Sequence, residues 1–221
     1  MKLGDLIPNF SATTDRSKFE SFYDWVGEEN WSMVFSHPAD FTPVCTTELA
    51  ELRNLSGEFA KRNVKILAVS IDTPQTHREW AKDINGFAKV DQDTELPYEI
   101  IADEDRSLCV DLGMIDPDEI NAAGVPVSCR AVLLIGPDHR LKAQILYPAT
   151  VGRNFEEIIR LIDGVQLGYN VPVATPPTLS DQDVLSKLCG GDSSKCEVKN
   201  LPSGKKYMRI IHGDHYLQNP Q

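Results

Sequence analysis

One short segment brings together residues that can carry out chemistry on a thiol. It spans Pro38 to Cys45 and follows an apolar run, Trp31 to Phe35, that predicts a buried strand. Thr42 is a good helix N-cap and Pro43 suits the first helical position, so we expect Cys45 in the first turn of a helix. The free N–H groups and the positive end of the helix dipole favour an anion there. A thiolate is such an anion, and thiols so placed often have a lowered pKa and higher nucleophilicity.

The residues alone leave two interpretations of Cys45 open. Free cysteine is often a small buried apolar residue, and Cys45 could simply follow a Thr-Pro cap. Against this, open α/β sheets place their active sites where a strand ends and a helix begins. The Thr42 hydroxyl is also within hydrogen-bonding reach of whatever the thiol would attack.

The other cysteines do not form a metal or disulfide framework. The chain has an odd number of them, no C-x-x-C pair and no histidines at zinc-finger spacing, so we expect no structural metal site and at least one free thiol. The residues concerned are Cys45, Cys109, Cys129, Cys189 and Cys196, with His37, His77, His139, His212 and His215.

Composition excludes two classes of partner. The 221 residues include 22 Lys and Arg against 33 Asp and Glu, which gives a formal net charge of −11 at pH 7. Polyanions attract basic surfaces, so nucleic acid and anionic membranes are not expected as main partners. No apolar run approaches the roughly 18 residues of a membrane span, and the first residues lack a signal-peptide hydrophobic region. We therefore predict a soluble cytoplasmic protein without stable membrane association.

The order of predicted elements indicates an α/β fold. Strand and helix alternate three times, and a β-hairpin and a final helix follow, which predicts a mixed central sheet with helices on both faces. We expect a main domain over residues 1–168. A stiff Pro-rich linker, Val171 to Pro177, introduces a small C-terminal extension over residues 169–221 that packs on the main domain or on a partner subunit. The predicted strands are 31–35, 64–71, 98–102, 129–135 and 141–147, and the predicted helices are 46–62, 73–84, one through 108–112, and 154–165.

The segment from Phe35 to Glu48 resembles the active-site signature of the peroxiredoxins, Pro-x-x-x-Thr-x-x-Cys. The fuller string resembles the one-cysteine (peroxiredoxin-6-type) subfamily. The resemblance implies a thioredoxin-like fold with a C-terminal extension. It continues through Ile84, Leu112 to Met114, Arg130, Tyr147 to Asn154, and Pro202 to Tyr207.

The resemblance implies a role for each residue of the site. Cys45 is the peroxidatic cysteine, Thr42 hydrogen-bonds to the peroxide and the thiolate, and Arg130 stabilises the negative charge. Attack on an O–O bond needs an ionised sulfur and donors aimed at the departing oxygen, which these groups can supply. Without the resemblance, the favoured interpretation of Arg130 is a surface salt bridge at the start of a strand.

Three further residues are implied as supporting groups. Pro38 shields the sulfur from water, His37 lines the peroxide pocket, and Glu48 orients the arginine through an ion pair. A histidine beside a proline is also often a hydrogen-bonded structural residue, so both interpretations of His37 stay open.

Two parts of the family pattern are missing. The resolving cysteine of two-cysteine relatives would fall in Val171 to Ala174, which has none, and Cys189 and Cys196 do not fit that motif. Sulfenic acid at Cys45 is therefore expected to need an external thiol, glutathione or a thiol protein. Cys129 is interpreted as a core residue.

A second activity of some family members is predicted to be weak or missing. Those members are described as phospholipases with a Gly-Asp-Ser-Trp segment, and here Asn30 stands in place of the serine. Asp138 matches the acid of that triad, but an acid without its nucleophile carries no chemistry.

The resulting prediction is an antioxidant thiol peroxidase that reduces hydrogen peroxide and organic or lipid hydroperoxides without metal, haem or flavin. A thioredoxin-type dithiol enzyme is excluded, because Thr42 to Cys45 holds one thiol where that chemistry needs two. A redox-sensing or chaperone-like oligomer with little turnover stays open. By resemblance we expect a homodimer, with rings of five dimers known among relatives, and the Leu141 to Tyr147 strand is a candidate pairing edge.

Overall fold

The computed structural model describes residues 1–167, 196–198, 202 and 209–211. The chain divides into two compact units, Met1–Phe155 and Glu156–Gln221. Cys189 and the linker residues 171–177 lie outside the described residues, and the domain boundary expected at residue 168 stays a prediction. No helix in the described part of the chain is both long and apolar enough to cross a membrane.

A five-stranded sheet forms the centre of the first unit. Its order is β5-β4-β3-β8-β9; β3, β4 and β5 run parallel, whereas β8 and β9 are antiparallel to their neighbours. The mixed sheet confirms the predicted fold class. All six residues of β8 are buried, as expected for a strand covered on both faces. The strands are β3 (Trp31–Ser36), β4 (Val64–Ser70), β5 (Glu99–Ala102), β8 (Arg130–Ile135) and β9 (Leu141–Tyr147).

The helices of the first unit follow the predicted order with shifted ends. The expected helix over residues 46–62 is two helices that meet at Leu55, because Ser56 and Gly57 are poor helix formers. The first of them begins at Pro43, the position that the Thr42-Pro43 pair predicts, three residues before the apolar pattern that starts at Thr46. The helices are α1 (Phe22–Val26), α2 (Pro43–Asn54), α3 (Ser56–Lys61), α4 (Pro74–Phe87) and α5 (Ser107–Asp111).

Short strands complete the description. Residues 115–128, to which the sequence assigned no element, form a hairpin, and the N-terminal region contains two short paired strands. Helix α6 (Phe155–Leu167) is the predicted final helix. The remaining strands are β1 (Ala12–Thr13), β2 (Lys18–Phe19), β6 (Ile115–Ile120), β7 (Pro126–Ser128), β10 (Cys196–Val198) and β11 (Arg209–Ile211).

Candidate active site

Cys45 occupies the first turn of α2, as its Thr-Pro context predicts. Thr42 is the N-cap in an extended conformation, and Pro43 is the first helical residue. The Thr42 side chain does not cap the helix; its hydroxyl donates to the Ala39 carbonyl at 3.1 Å. Cys45 is a free thiol with no exposed surface. The sulfur thus lies at a helix N-terminus that no side chain caps.

The loop that leads into α2 makes a sharp turn. Phe41 adopts a φ of 53°, in the left-handed region that costs a residue with a side chain about 1–2 kcal/mol. The Asp40 backbone N–H donates to Asp72 Oδ2 at 2.9 Å, which fixes the loop against the segment after β4. Strain of this kind is maintained by surrounding contacts and is common at functional sites.

Arg130, the first residue of β8, brings a fixed positive charge to the sulfur. Its Nη1 donates to Cys45 Sγ at 3.1 Å, and its Nε and Nη2 donate to the Ala149 carbonyl at 2.9 and 2.7 Å. The planar guanidinium is held by several acceptors at once, which a lysine could not match. The guanidinium thus places a hydrogen-bond donor and a fixed positive charge at the sulfur.

Glu48 connects this arginine to a second one. It lies three residues after Cys45 on α2, and its Oε2 accepts from Arg130 Nη1 at 2.7 Å. Arg153 donates to Glu48 through its backbone N–H at 2.6 Å, Nε at 3.0 Å and Nη2 at 3.0 Å. Burial by itself would raise the pKa of Glu48, but Arg153 and Arg130 outweigh it and hold the pKa below its ordinary value.

Arg153 has no role in the sequence analysis, yet it is central to this network. Its Nη1 donates to the carbonyls of Ser36 and Ala131 at 2.8 and 2.9 Å, so it bridges the adjacent strands β3 and β8. The one signal in the sequence is the family resemblance of the segment Tyr147 to Asn154, which contains Arg153. That resemblance does not identify the partners of Arg153, because its acceptor carbonyls are set by the sheet register.

His37 is fully buried and makes no hydrogen bond to the sulfur. Its Nε2 lies 2.9 Å from Asp40 Oδ1, and its Nδ1 has no hydrogen-bond partner. Burial lowers the pKa of His37, although Asp40 acts in the opposite direction. Pro38, the next residue, is half-buried. The structure therefore brings Cys45, Arg130 and Glu48 into direct contact and leaves His37 in a neighbouring cluster.

Among the described residues, one group has ligand atoms close enough to hold a metal ion. These are His37, Asp40 and Asp72, within 4.8 Å of one another. Hydrogen bonds already occupy both carboxylates: Asp40 lies beside His37 and His77, and Asp72 accepts from the Ser70 hydroxyl at 2.7 Å. The two carboxylates of the cluster are thus already hydrogen-bonded, and the expected lack of a metal cofactor stays a prediction.

The residues at two positions of the phospholipase motif have structural contacts. Asn30 Nδ2 donates to the carbonyl of Val26, the last residue of α1, at 2.7 Å. Asp138 forms a salt bridge with Lys142 at 2.6 Å. These contacts give Asn30 and Asp138 structural roles. Weak or missing lipase activity stays a prediction.

Comparison with known proteins decides the family. The sequence profile of the AhpC/TSA family matches residues 3–144. The chain belongs to the AhpC/TSA family. An Onchocerca volvulus relative named "1-Cys peroxiredoxin" is 47% identical over 225 residues, which are 94% of this chain and 95% of the relative. Peroxiredoxin-6 of Gallus gallus is 48% identical over 219 residues, with 94% and 95% covered.

Solved structures agree with this assignment. A cysteine-to-serine mutant of the peroxiredoxin 6 of Arenicola marina superimposes with a TM-score of 0.82 at 44% identity, over 96% of this chain and 97% of that one. A yeast mitochondrial 1-Cys peroxiredoxin gives a TM-score of 0.75 at 33% identity, over 96% and 99%. The chain thus has the thioredoxin-like peroxiredoxin fold and is a thiol peroxidase, as the resemblance implied.

Proposed function

We propose that this peroxiredoxin reduces hydroperoxides through Cys45, with Arg130 and Thr42 as the groups that assist it. The contact that carries the proposal is the 3.1 Å hydrogen bond from Arg130 Nη1 to Cys45 Sγ. The thiolate attacks the terminal peroxide oxygen, the S–O bond forms, and the O–O bond breaks. The departing oxygen takes a proton and leaves as an alcohol or water, and Cys45 becomes a sulfenic acid.

Each supporting residue has a defined part in that step. Arg130 stabilises the thiolate and the developing charge, and Glu48 holds the guanidinium in place. The Thr42 hydroxyl donates its hydrogen bond to the Ala39 carbonyl. Its oxygen lone pairs therefore stay free to accept a hydrogen bond from the peroxide. Pro38 and His37 line the pocket.

We propose that the reductant is an external thiol. Sulfenic acid condenses with one thiol to a mixed disulfide and water, and a second thiol releases Cys45 and a disulfide. Cys109 and Cys129 are poor resolving thiols, because burial and nearby carboxylates raise the pKa of both. Glutathione and a thioredoxin-like protein both suit this role; the thiol resolving mechanism of the solved yeast relative runs via glutathione/thioredoxin systems.

We further propose a homodimer in the cytoplasm. Strand β9 is a terminal strand of the central sheet, and Leu146 on it is 53% exposed, which suits pairing with the same edge of a second copy. Free buried cysteines are typical of a reducing compartment. Sedimentation velocity of the reduced protein tests the dimer, and a monomer at micromolar concentration would contradict it.

Single-turnover oxidation tests the function. The reduced protein receives one equivalent of hydrogen peroxide, and dimedone trapping with intact mass follows the product beside a Cys45→Ser control. We expect a fast sulfenic adduct on Cys45 that the control lacks. No reaction within minutes would contradict the peroxidase function. It would leave the redox-sensing or chaperone-like alternative, which the names of the relatives do not favour.

A further inference from the structure

A buried carboxylate in the loop that leads to Cys45 bridges two buried imidazoles. Asp40 Oδ1 lies 2.9 Å from His37 Nε2, and Asp40 Oδ2 lies 2.6 Å from His77 Nδ1. Neither imidazole has exposed surface, and Asp40 is 7% exposed. His77 lies in the first part of α4 and has no role in the reaction proposed above.

The hydrogen-bond partners define where the protons are. Burial by itself would raise the pKa of Asp40, but hydrogen bonds from His37 and His77 outweigh it and hold the pKa at about 2. An ionised carboxylate accepts hydrogen bonds and cannot donate, so His37 Nε2 and His77 Nδ1 each carry a hydrogen. His77 Nε2 faces the Ile101 carbonyl oxygen at 3.3 Å, which also accepts only. Both ring nitrogens of His77 thus face acceptors, an arrangement that an imidazolium satisfies.

The charges that face His77 favour this cationic form. Asp40 contacts it from the loop before α2, and the carboxyl of Asp15, from the turn after β1, interacts with it electrostatically. His37 is the other titratable ring nearby, with its centroid 6.3 Å away, and Asp72 interacts electrostatically with His37. The negative charge of these carboxyl groups suits one imidazolium beside one neutral ring, and Asp72 accepts from the Asp40 backbone N–H.

The consequence falls on His37. With Nε2–H donating to Asp40, a neutral His37 presents a lone pair on Nδ1, and that atom is buried without a partner. A buried acceptor left unpaired is costly, which points to a protic ligand that arrives during function. The ring packs 5.1 Å from Trp80, whose Nε1 donates to Thr46, the residue after Cys45.

We propose that His77 is a positioning residue: a buried imidazolium that acts through Asp40 to keep His37 neutral, with its Nδ1 lone pair available to a protic ligand in the Cys45 pocket. The part that concerns the ligand rests on the proposed function. The charge state of His77 and the tautomer of His37 do not.

Nitrogen NMR of the unmodified protein tests the charge states directly. Long-range proton–nitrogen correlations at neutral pH are expected to show both ring nitrogens of His77 protonated and His37 protonated at Nε2 alone. The signals are assigned by single substitution of each histidine. A neutral His77, or a His37 with its proton on Nδ1, would overturn the proposal, and this result does not depend on peroxidase activity.

The variant His77→Asn separates a positioning role from a structural one. The asparagine amide N–H lies where Nδ1–H does, so it keeps a donor to Asp40 but removes the cation. Without that cation Asp40 draws a proton onto His37, and the acid limb of the Cys45 oxidation profile moves up by about one pH unit, a tenfold lower rate on the acid side with recovery at high pH. A uniform loss at all pH values, or no change, would contradict the role.

A matched control uses the same substitution elsewhere. His139 lies in the turn between β8 and β9, stacked on Tyr23 at 3.9 Å, outside the cluster. His139→Asn is expected to leave both the His37 signals and the pH profile unchanged. If the parent protein shows no oxidation of Cys45 while its NMR gives the expected charge states, the proposed function fails and the assignment of His77 stands.

Discussion

Cys45 and Cys109 occupy equivalent local positions and have opposite surroundings. Each is the third residue of its helix, α2 or α5, and each is fully buried. Arg130 approaches Cys45 Sγ at 3.1 Å. Burial, and then the Asp103 carboxylate, raise the pKa of the Cys109 thiol far above its ordinary value. Burial and helix position are shared, so the nearest charge distinguishes a reactive thiol from an inert one.

The two helix starts show how this difference arises. At α5 the Asp103 carboxylate accepts the backbone N–H groups of Leu108 and Cys109 at 3.0 and 2.7 Å, so an anion already occupies the helix N-terminus. At α2 the Thr42 side chain makes no cap bond, and the place is left for the thiolate itself. The same positive end of a helix is thus used for structure in one case and for chemistry in the other.

The largest expected effect comes from exchanging sulfur for oxygen at the two positions. Cys45→Ser removes the nucleophile, and turnover is expected to fall by at least about 10³-fold. Cys109→Ser serves as the matched control and is expected to keep the parent rate. A coupled assay of peroxide consumption measures both. Comparable losses in the two variants would mean that burial, not the neighbouring charge, governs reactivity.

Arg130→Lys tests the charge that distinguishes Cys45. A lysine keeps a positive charge but cannot contact Sγ, Glu48 and the Ala149 carbonyl together. We expect the rate of Cys45 oxidation to fall by about 10²-fold, the usual cost of losing one electrostatic donor. Stopped-flow oxidation at several peroxide concentrations measures it. A rate like that of the parent would show that a point charge is enough.

Glu48→Gln is expected to have a smaller effect on rate and a clear effect on acid stability. The folded-state pKa of Glu48 lies below its ordinary value of 4.5, so its ionised form stabilises the fold. That stabilisation is present above 4.5 and is lost as the pH falls through the folded-state value.

The substitution therefore costs stability at neutral pH, by about 3–5 kcal/mol for a broken buried ion pair, and flattens the acid limb of the stability profile. The rate of Cys45 oxidation is expected to fall by about tenfold, because Arg130 loses the carboxylate that orients it. Urea unfolding at a series of pH values gives the first result. A variant with the same acid limb as the parent would mean that Glu48 is not ionised in the fold.

How far the sequence predicts this site depends on the distance along the chain. Cys45 follows from Thr42 and Pro43 because capping is local, and Glu48 lies on the same helix. Arg130 is 85 residues from Cys45, so no local pattern predicts their contact. The family resemblance alone implied it. Arg153 was missed because its acceptor carbonyls depend on sheet register.

The same reasoning explains the parts of the fold that were missed. The long strands carry apolar runs that predict them, and β3, β4, β8 and β9 lie within a residue of their expected ends. Ile115–Ile120 contains a proline and three acidic residues without apolar alternation, so nothing local indicates a strand. Its partner Pro126–Ser128 supplies the pairing. The Asp40–His77 contact likewise joins residues 37 apart on different elements.

Asp103→Asn gives the smallest expected effect and makes the comparison sharper. The change removes the anion beside Cys109 but supplies no cation, and the thiol stays buried. Burial is the larger cause of the raised pKa, so Cys109 alkylation at neutral pH is expected to accelerate by less than about tenfold and to stay far slower than peroxide oxidation of Cys45. The asparagine oxygen can keep one of the two N–H bonds at α5, so the loss of stability is expected to be about 1 kcal/mol. Peptide mass spectrometry after timed alkylation measures the rate. If Cys109 instead became as reactive as Cys45, removal of a carboxylate would be sufficient to activate a buried thiol, and the guanidinium of Arg130 would not be needed for that purpose.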